Sequence, residues 1–86
     1  MGNEPLNVNQ LKWRCRRGIK EVELLLIPYF DSYFSQLSTT GQKCFTEILK
    51  EDDVVLFEWF TQRAEPTDPQ MAKLVHAMIT KTFCDL

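Results

Sequence analysis

The segment "DPQMAKLVHAMI", residues 68–79, carries the clearest helical pattern in the chain. Its apolar side chains recur at the i, i+3, i+4, i+7 and i+8 spacing of one buried helix face: Met71, Leu74, Val75, Met78 and Ile79. Asp68 is a typical N-cap, and Pro69 suits the first helical position, where its missing N–H costs no hydrogen bond. A helix with one apolar face must pack against other elements, so this segment predicts an α-helical core.

Helical periodicity continues outward from this segment through the rest of the chain. No stretch of four to eight residues alternates cleanly, and no Asn-Gly or Asp-Gly pair marks a hairpin. We predict five helices: 8–17, 19–37, 39–51, a short fourth helix capped by Asp52 or Asp53, and a fifth from Pro69. Short connections favour an all-α, compact five-helix bundle. Residues 1–86 are predicted to form a single helical domain with a core at 7–83 and short flexible termini.

Local signals set the predicted helix ends. Asn7 is a plausible first N-cap, Gly18 ends or bends the first helix, and Thr39 with Gln42 has the spacing of a capping box. Pro28 should kink the second helix by freeing the carbonyl of Leu24. The predicted inward side chains are Val8, Leu11 and Cys15, then Leu24, Ile27, Phe30, Phe34 and Leu37, then Phe45, Ile48 and Leu49, then Leu56, Trp59 and Phe60.

Composition narrows the class of protein. With 86 residues, 44% hydrophobic and 26% charged, the chain is typical of one globular domain. No apolar run approaches the roughly 20 residues that span a bilayer, so we expect no membrane insertion. The first residues resemble neither a secretory signal nor a transit peptide, and we expect a cytoplasmic protein.

Residues that carry enzyme or metal chemistry are sparse. The three cysteines Cys15, Cys44 and Cys84 are far apart and are predicted to be reduced thiols. With one histidine, His76, they do not supply the paired ligands of a structural zinc site, so no metal is expected. No Gly-x-Ser-x-Gly elbow and no glycine-rich phosphate loop is present. We therefore predict that the protein is not an enzyme.

Positive charge is concentrated in one segment, although the net charge is −2. Residues 12–20 contain five basic side chains and no acid: Lys12, Arg14, Arg16, Arg17 and Lys20. Such a cluster raises the hypothesis of a small nucleic-acid binder. All twelve acids lie elsewhere in the chain, where they would repel a phosphate backbone, so we expect no nucleic-acid partner.

The centre of this segment admits two interpretations. In the first, Gly18 only ends a helix, and Arg17 with Glu21 forms an exposed ion pair worth under about 1 kcal/mol. In the second, the missing side chain of Gly18 lets the backbone of another protein approach while the two charges contact it. The residue pattern alone leaves both interpretations open.

A wider set of motifs resembles one known family. In order they are Trp13, "RRGIKE" at 16–21, "ELLL" at 23–26, "DDVVLFEWF" at 52–60 and the "EP" turn at 65–66. This order is similar to that of the small bacterial and mitochondrial assembly factors for the flavoprotein subunit of succinate dehydrogenase, and it covers roughly residues 10–80. The core motif Arg-Gly-x-x-Glu is weak alone but fairly specific between Trp13 and Leu56-x-x-Trp59.

The resemblance implies a five-helix, non-catalytic chaperone that binds the flavoprotein subunit of succinate dehydrogenase or fumarate reductase. It would promote covalent attachment of FAD to a histidine of that subunit, would hold no cofactor tightly itself, and would be a monomer of the bacterial cytoplasm. The partner-binding residues that it implies are Arg17, Gly18 and Glu21, flanked by Trp13, Arg14 and Arg16. Because bacterial members are also labelled as antitoxins, the alternative is an antitoxin-type module that binds a protein partner.

Overall fold

The computed structural model describes residues 8–86. It contains five α-helices and one 3-10 helix: α1 (Val8–Arg14), α2 (Lys20–Tyr33), the 3-10 helix Phe34–Gln36, α3 (Thr39–Ile48), α4 (Asp53–Phe60) and α5 (Pro69–Thr80). No β-strand occurs within the described range. The predicted all-α class and helix number are confirmed.

One hydrophobic core joins the helices. The largest fully buried side chains come from α2 to α5 and from the connection after α1: Phe45, Leu26, Ile48, Leu56, Leu74, Met78, Val22 and Cys15. Phe30, Phe34 and Phe45 form an aromatic cluster with ring centroids 4.7 to 5.7 Å apart. No charged or polar side chain of residues 8–86 is buried in this core, so its stability comes from apolar burial and packing.

Helix α1 ends three residues earlier than predicted, at Arg14 instead of Arg17. A longer helix would join the Gly18 N–H to the Arg14 carbonyl. Instead, the Gly18 N–H donates to the Asp53 carboxylate and the Arg14 carbonyl accepts from the Arg17 guanidinium. Both members of that helical hydrogen bond are therefore engaged elsewhere. The predicted N-cap Asn7 lies outside the described residues.

The predicted inward face of helix two is confirmed at Phe30, Phe34 and Leu37, which are buried, and at Ile27, which packs partly exposed against the core, but it is wrong at Leu24. The buried side chains of α2 are Val22, Leu26, Tyr29 and Phe30, whereas Leu24 is 60% exposed. Four consecutive large apolar residues, 24–27, make the helix apolar nearly all round, so periodicity alone does not select the face. The helix runs unbroken through the exposed Pro28 and closes with the 3-10 turn, so the prediction of one α-helix to residue 37 was wrong at its end.

The cap of α3 is Ser38, not Thr39 as predicted. The Ser38 Oγ accepts a hydrogen bond from the Gly41 N–H at 3.1 Å, three residues on, which satisfies one of the free amides of the first turn. The α-helix then ends at Ile48, before the predicted limit at residue 51, and the next three residues form the turn into α4.

The cap and face of α5 are confirmed. The Asp68 carboxylate accepts from the Gln70 N–H at 2.9 Å, and Pro69 occupies the first turn. The side chains of Leu74, Val75 and Met78 are buried, and the other two members of the predicted stripe pack against the core while partly exposed. Within residues 8–86, no helix is both long enough and apolar enough to cross a bilayer.

Candidate partner-binding surface

Two polar contacts connect the basic segment to α2. The Lys12 ammonium lies 2.9 Å from the Asp31 carboxylate near the end of α2. The backbone N–H of Arg17 donates to the Glu23 carboxylate at 2.8 Å near the start of α2. Since Ile27, halfway between those acids, lines a pocket with residues of α1, the face of α2 at positions 23, 27 and 31 runs along α1.

Arg17 holds three parts of the chain together. Its guanidinium donates to the backbone carbonyls of Arg14 at 2.8 Å, Leu49 at 3.1 Å and Glu51. These carbonyls belong to the end of α1 and to the turn that follows α3, where helical partners are lacking. The Arg17 Nε also donates to the Asp53 carboxylate at 2.7 Å, and only 13% of the Arg17 side chain is exposed.

Asp53, the first residue of α4, is shared between Arg17 and Gly18. One carboxylate oxygen accepts from the Arg17 Nε, and the other accepts from the Gly18 N–H at 2.8 Å. The hydrogen bond from the Gly18 N–H, followed by that from Arg17, holds the pKa of the Asp53 carboxyl below its ordinary value of 3.8. We call Arg17, Gly18 and Asp53 the junction triad.

The exposed ion pair between Arg17 and Glu21, which belonged to the first of the two interpretations, is not formed. Arg17 turns inward to Asp53 because four acceptors surround its guanidinium there. Glu21 lies in the first turn of α2, where a carboxylate interacts favourably with the helix dipole. It is exposed, and its carboxylate has no hydrogen-bond or ion-pair partner among the described residues.

The flanking residues form an exposed aromatic and cationic pair. Trp13 is 70% exposed, the highest fraction among the large hydrophobic side chains of residues 8–86. The Arg16 guanidinium lies over its ring, 5.5 Å from the centroid, in a cation–π arrangement. Both side chains line a shallow pocket of about 200 Å³ beside Lys12 and Ile27. An exposed tryptophan next to an arginine is a frequent feature of protein interfaces.

The fold divides the five-charge basic segment. Lys12 is paired with Asp31, and Arg17 is paired with Asp53 inside the junction triad. The other three basic side chains, Arg14, Arg16 and Lys20, are exposed. The fold therefore pairs two of the five basic side chains with acids and leaves the other three exposed.

The sequence pattern did not identify Asp53 as part of this site. It was predicted only as a cap of the fourth helix, a position that Asp52 occupies without making a side-chain cap hydrogen bond. The available signal was the pair of adjacent acids in "DDVVLFEWF", because one helix start needs only one cap. That Asp53 meets Gly18, 35 residues away, follows only from the tertiary fold.

The remaining reactive side chains lie outside this surface. All three cysteines are free and buried, as predicted for reduced thiols. His76 is exposed and lines an open cleft of about 410 Å³ between the end of α4 and α5. Among residues 8–86, no three of the His, Cys, Asp or Glu side chains are grouped in a way that could hold a metal ion.

Comparison with known proteins places the chain among the flavin assembly factors. Residues 9–82 match the family model Sdh5, described as flavinator of succinate dehydrogenase. The chain is 36% identical over 69 residues to the FAD assembly factor SdhE of Pasteurella multocida, which covers 80% of the chain and 82% of that relative. It is 33% identical over 72 residues to the SdhE of Shewanella oneidensis (84% and 88% covered) and 30% identical over 78 residues to that of Pseudomonas putida (91% and 93% covered).

Proposed function

The chain belongs to the Sdh5 family, the flavinators of succinate dehydrogenase, and from this premise we propose that it is a non-catalytic FAD assembly factor. It binds the flavoprotein subunit of succinate dehydrogenase or fumarate reductase and promotes covalent attachment of FAD to that subunit. The family match over residues 9–82, which include Arg17, Gly18 and Glu21, carries this proposal.

The exposed side chains around α1 and at the start of α2 support a protein partner. The surface that we assign to the partner consists of the exposed Trp13 and Arg16 pair, Arg14, and Glu21 at the start of α2. This surface combines an aromatic side chain with charges of both signs. Such a combination complements the surface of another protein better than that of a nucleic acid, whose backbone is uniformly negative. Glu21 is available because Arg17 is engaged by Asp53.

The proposed mechanism is a shift of population within the partner. An assembly factor that binds the attachment-competent arrangement of the flavoprotein subunit more tightly raises the population of that arrangement. The covalent bond then forms on a histidine of the subunit, with no acid–base residue of the assembly factor. The factor accelerates attachment only by as much as its affinities for the two arrangements differ.

FAD stays on the partner in this proposal. A phosphate-binding loop presents free backbone N–H groups, usually at glycines. The N–H of Gly18 already donates to the Asp53 carboxylate. Gly41 lies within the first turn of α3, where its N–H donates to the Ser38 hydroxyl. Neither of these glycines offers an amide to a dinucleotide.

Co-expression with the flavoprotein subunit of succinate dehydrogenase tests the function. The subunit is produced with the wild-type chain, with Glu21→Gln, with Glu65→Gln, or alone, and covalent flavin is read as fluorescence of the denatured subunit in a gel. We expect strong fluorescence with the wild type and with Glu65→Gln, and weak fluorescence with Glu21→Gln. Glu65 is the matched control because it is also an exposed glutamate but lies in the α4–α5 connection.

Equal fluorescence in all four samples would contradict the proposed function. In that case, a stable complex with another protein would favour the antitoxin-type alternative. If wild type and Glu21→Gln support flavin attachment equally well, the assembly function stands and the assignment of Glu21 to the interface is wrong.

A further inference from the structure

Asp53 lies outside the Arg-Gly-x-x-Glu motif yet contacts two of its members. We infer that Asp53 is a positioning residue for the partner-binding surface: it holds Arg17 and Gly18 within the fold and thereby fixes the direction in which Glu21 faces the partner. This inference rests on the proposed function and assigns different tasks to the three motif residues.

The junction triad brings two donors to one carboxylate. Each carboxylate oxygen of Asp53 accepts one hydrogen bond, from the Arg17 Nε at 2.7 Å and from the Gly18 N–H at 2.8 Å. An asparagine at position 53 would have only one acceptor oxygen, and its NH₂ group would face a second donor. The negative charge and both oxygens are therefore needed to hold the two donors together.

The Asp53 carboxylate also accounts for the glycine at position 18. A Cβ atom at this position would lie 3.1 Å from the Asp53 Oδ2, closer than most Cβ contacts in proteins. Its φ angle is not in the left-handed region, so backbone strain does not require glycine here. The missing side chain makes room for the chain's own carboxylate, and the approach of a foreign backbone is not needed to explain it.

The start of α2 connects the junction triad to Glu21. The N-cap of α2 is Ile19, whose side chain makes no capping hydrogen bond. The start of the helix is instead held by the Gly18 N–H on Asp53 and by the Arg17 N–H on Glu23. Glu21 lies within one turn of those anchors. Releasing Asp53 would free the first turn, and the partner would then have to order Glu21 on binding.

The test measures the affinity of purified chains for the isolated flavoprotein subunit, before flavin attachment, by calorimetry. The chains are the wild type, Asp53→Asn, Glu21→Gln and the double variant. We expect Asp53→Asn to weaken binding of the otherwise wild-type chain roughly 10-fold, an effect of the size found for residues that belong to one hydrogen-bond network. In the Glu21→Gln background the same substitution should weaken binding less than about 3-fold, because the group that it positions is already impaired.

Two control variants separate positioning from loss of stability. Asp52→Asn removes the adjacent carboxylate, which makes no side-chain cap bond, and should leave the affinity unchanged. Ser38→Ala removes the α3 cap and lowers stability at another site, and it too should bind as the wild type does. Amide hydrogen exchange, measured without the partner, should be faster at Gly18 in Asp53→Asn than in the wild type.

If Asp53→Asn binds as tightly as the wild type, or weakens binding by the same factor in both backgrounds, the inference is wrong while the proposed function stands. If the wild-type chain does not bind the subunit at all, the proposed function fails and the inference fails with it. Should Asp53→Asn not fold, as judged by circular dichroism, Asp53→Glu replaces it, because it keeps the charge but displaces the oxygens by one methylene.

Discussion

At the scale of single residues, one carboxylate determines how the basic segment is used. Asp53 accepts from Arg17 and from Gly18, and it thereby ends α1 and anchors the connection to α2. Without this contact, the Gly18 N–H would be free to continue the helix by bonding to the Arg14 carbonyl. A surface that looks uniformly basic in the sequence is therefore divided into an inward arginine and outward groups.

The charge of Asp53 should make stability depend on pH in the acid range. Because its folded pKa is lowered from 3.8, the junction triad stabilises the fold above that ordinary value and loses this contribution as pH falls through the folded pKa. We expect Asp53→Asn to lower the free energy of unfolding near neutral pH by roughly 1.5–3 kcal/mol, the range for hydrogen bonds to charged groups. Urea denaturation near pH 6 and near pH 2 measures the difference, which should shrink at the lower pH.

The matched control for this prediction is Asp52→Asn. Asp52 is exposed, and its side chain makes no cap hydrogen bond, so its substitution should change stability by less than about 0.5 kcal/mol at either pH. A destabilisation by Asp53→Asn that stays constant down to pH 2 would show that the charge of the carboxylate is not its cause.

At the scale of elements, the orientation of α2 is the main result of packing. Its sequence is apolar on nearly every side, and contact with α4 and α5 selects the face that contains Val22, Leu26 and Phe30. Leu24 is left 60% exposed, one turn after the start of the helix. The hydrophobic pattern alone had placed Leu24 inside.

The same change from leucine to alanine at two positions of α2 tests this orientation. Leu26→Ala removes a fully buried side chain and should lower the free energy of unfolding by about 2–5 kcal/mol. Leu24→Ala should change it by less than about 0.5 kcal/mol, since most of that side chain already contacts water. Urea denaturation of both variants provides the measurement, and a larger loss for Leu24→Ala would contradict the described orientation.

At the scale of the whole molecule, folding buries all three cysteine thiols in the core and changes their pKa values. Cys15 follows α1, Cys44 lies in α3 and Cys84 lies in the C-terminal segment, and all three are buried. Burial raises the pKa of the Cys15 thiol to about 12 and that of Cys44 to about 11, from an ordinary value of 9.0. The folded protein therefore keeps these thiols protonated where the unfolded chain would ionise them.

This difference predicts a loss of stability in alkaline solution. Above about pH 9 the unfolded chain releases thiol protons that the folded protein retains, so the free energy of unfolding should fall as pH rises towards the folded pKa values. Each group contributes at most about 1.4 kcal/mol per pH unit in that range. Urea denaturation at about pH 8 and pH 10 measures the fall, which should be smaller for Cys15→Ala. An equal fall in that variant would assign the effect to other groups.

The sequence by itself determined the fold class, the number of helices and the family. The helical spacing in α5, the Asp68 cap and the absence of strand signals are local features, and local features report reliably on which elements form. The order of the motifs around Arg17, Gly18 and Glu21 was sufficient to identify the family, because motif order is a property of the sequence alone.

Only the tertiary structure decided which charges meet and which face of an apolar helix is buried. The contact between Asp53 and Gly18 spans 35 positions, so no local pattern encodes it. The burial of Leu26 rather than Leu24 depends on the neighbours that pack against α2. The inward turn of Arg17 has the same origin. Its four acceptors come from two separate parts of the chain, Arg14 and residues 49–53, and only the folded protein brings them together.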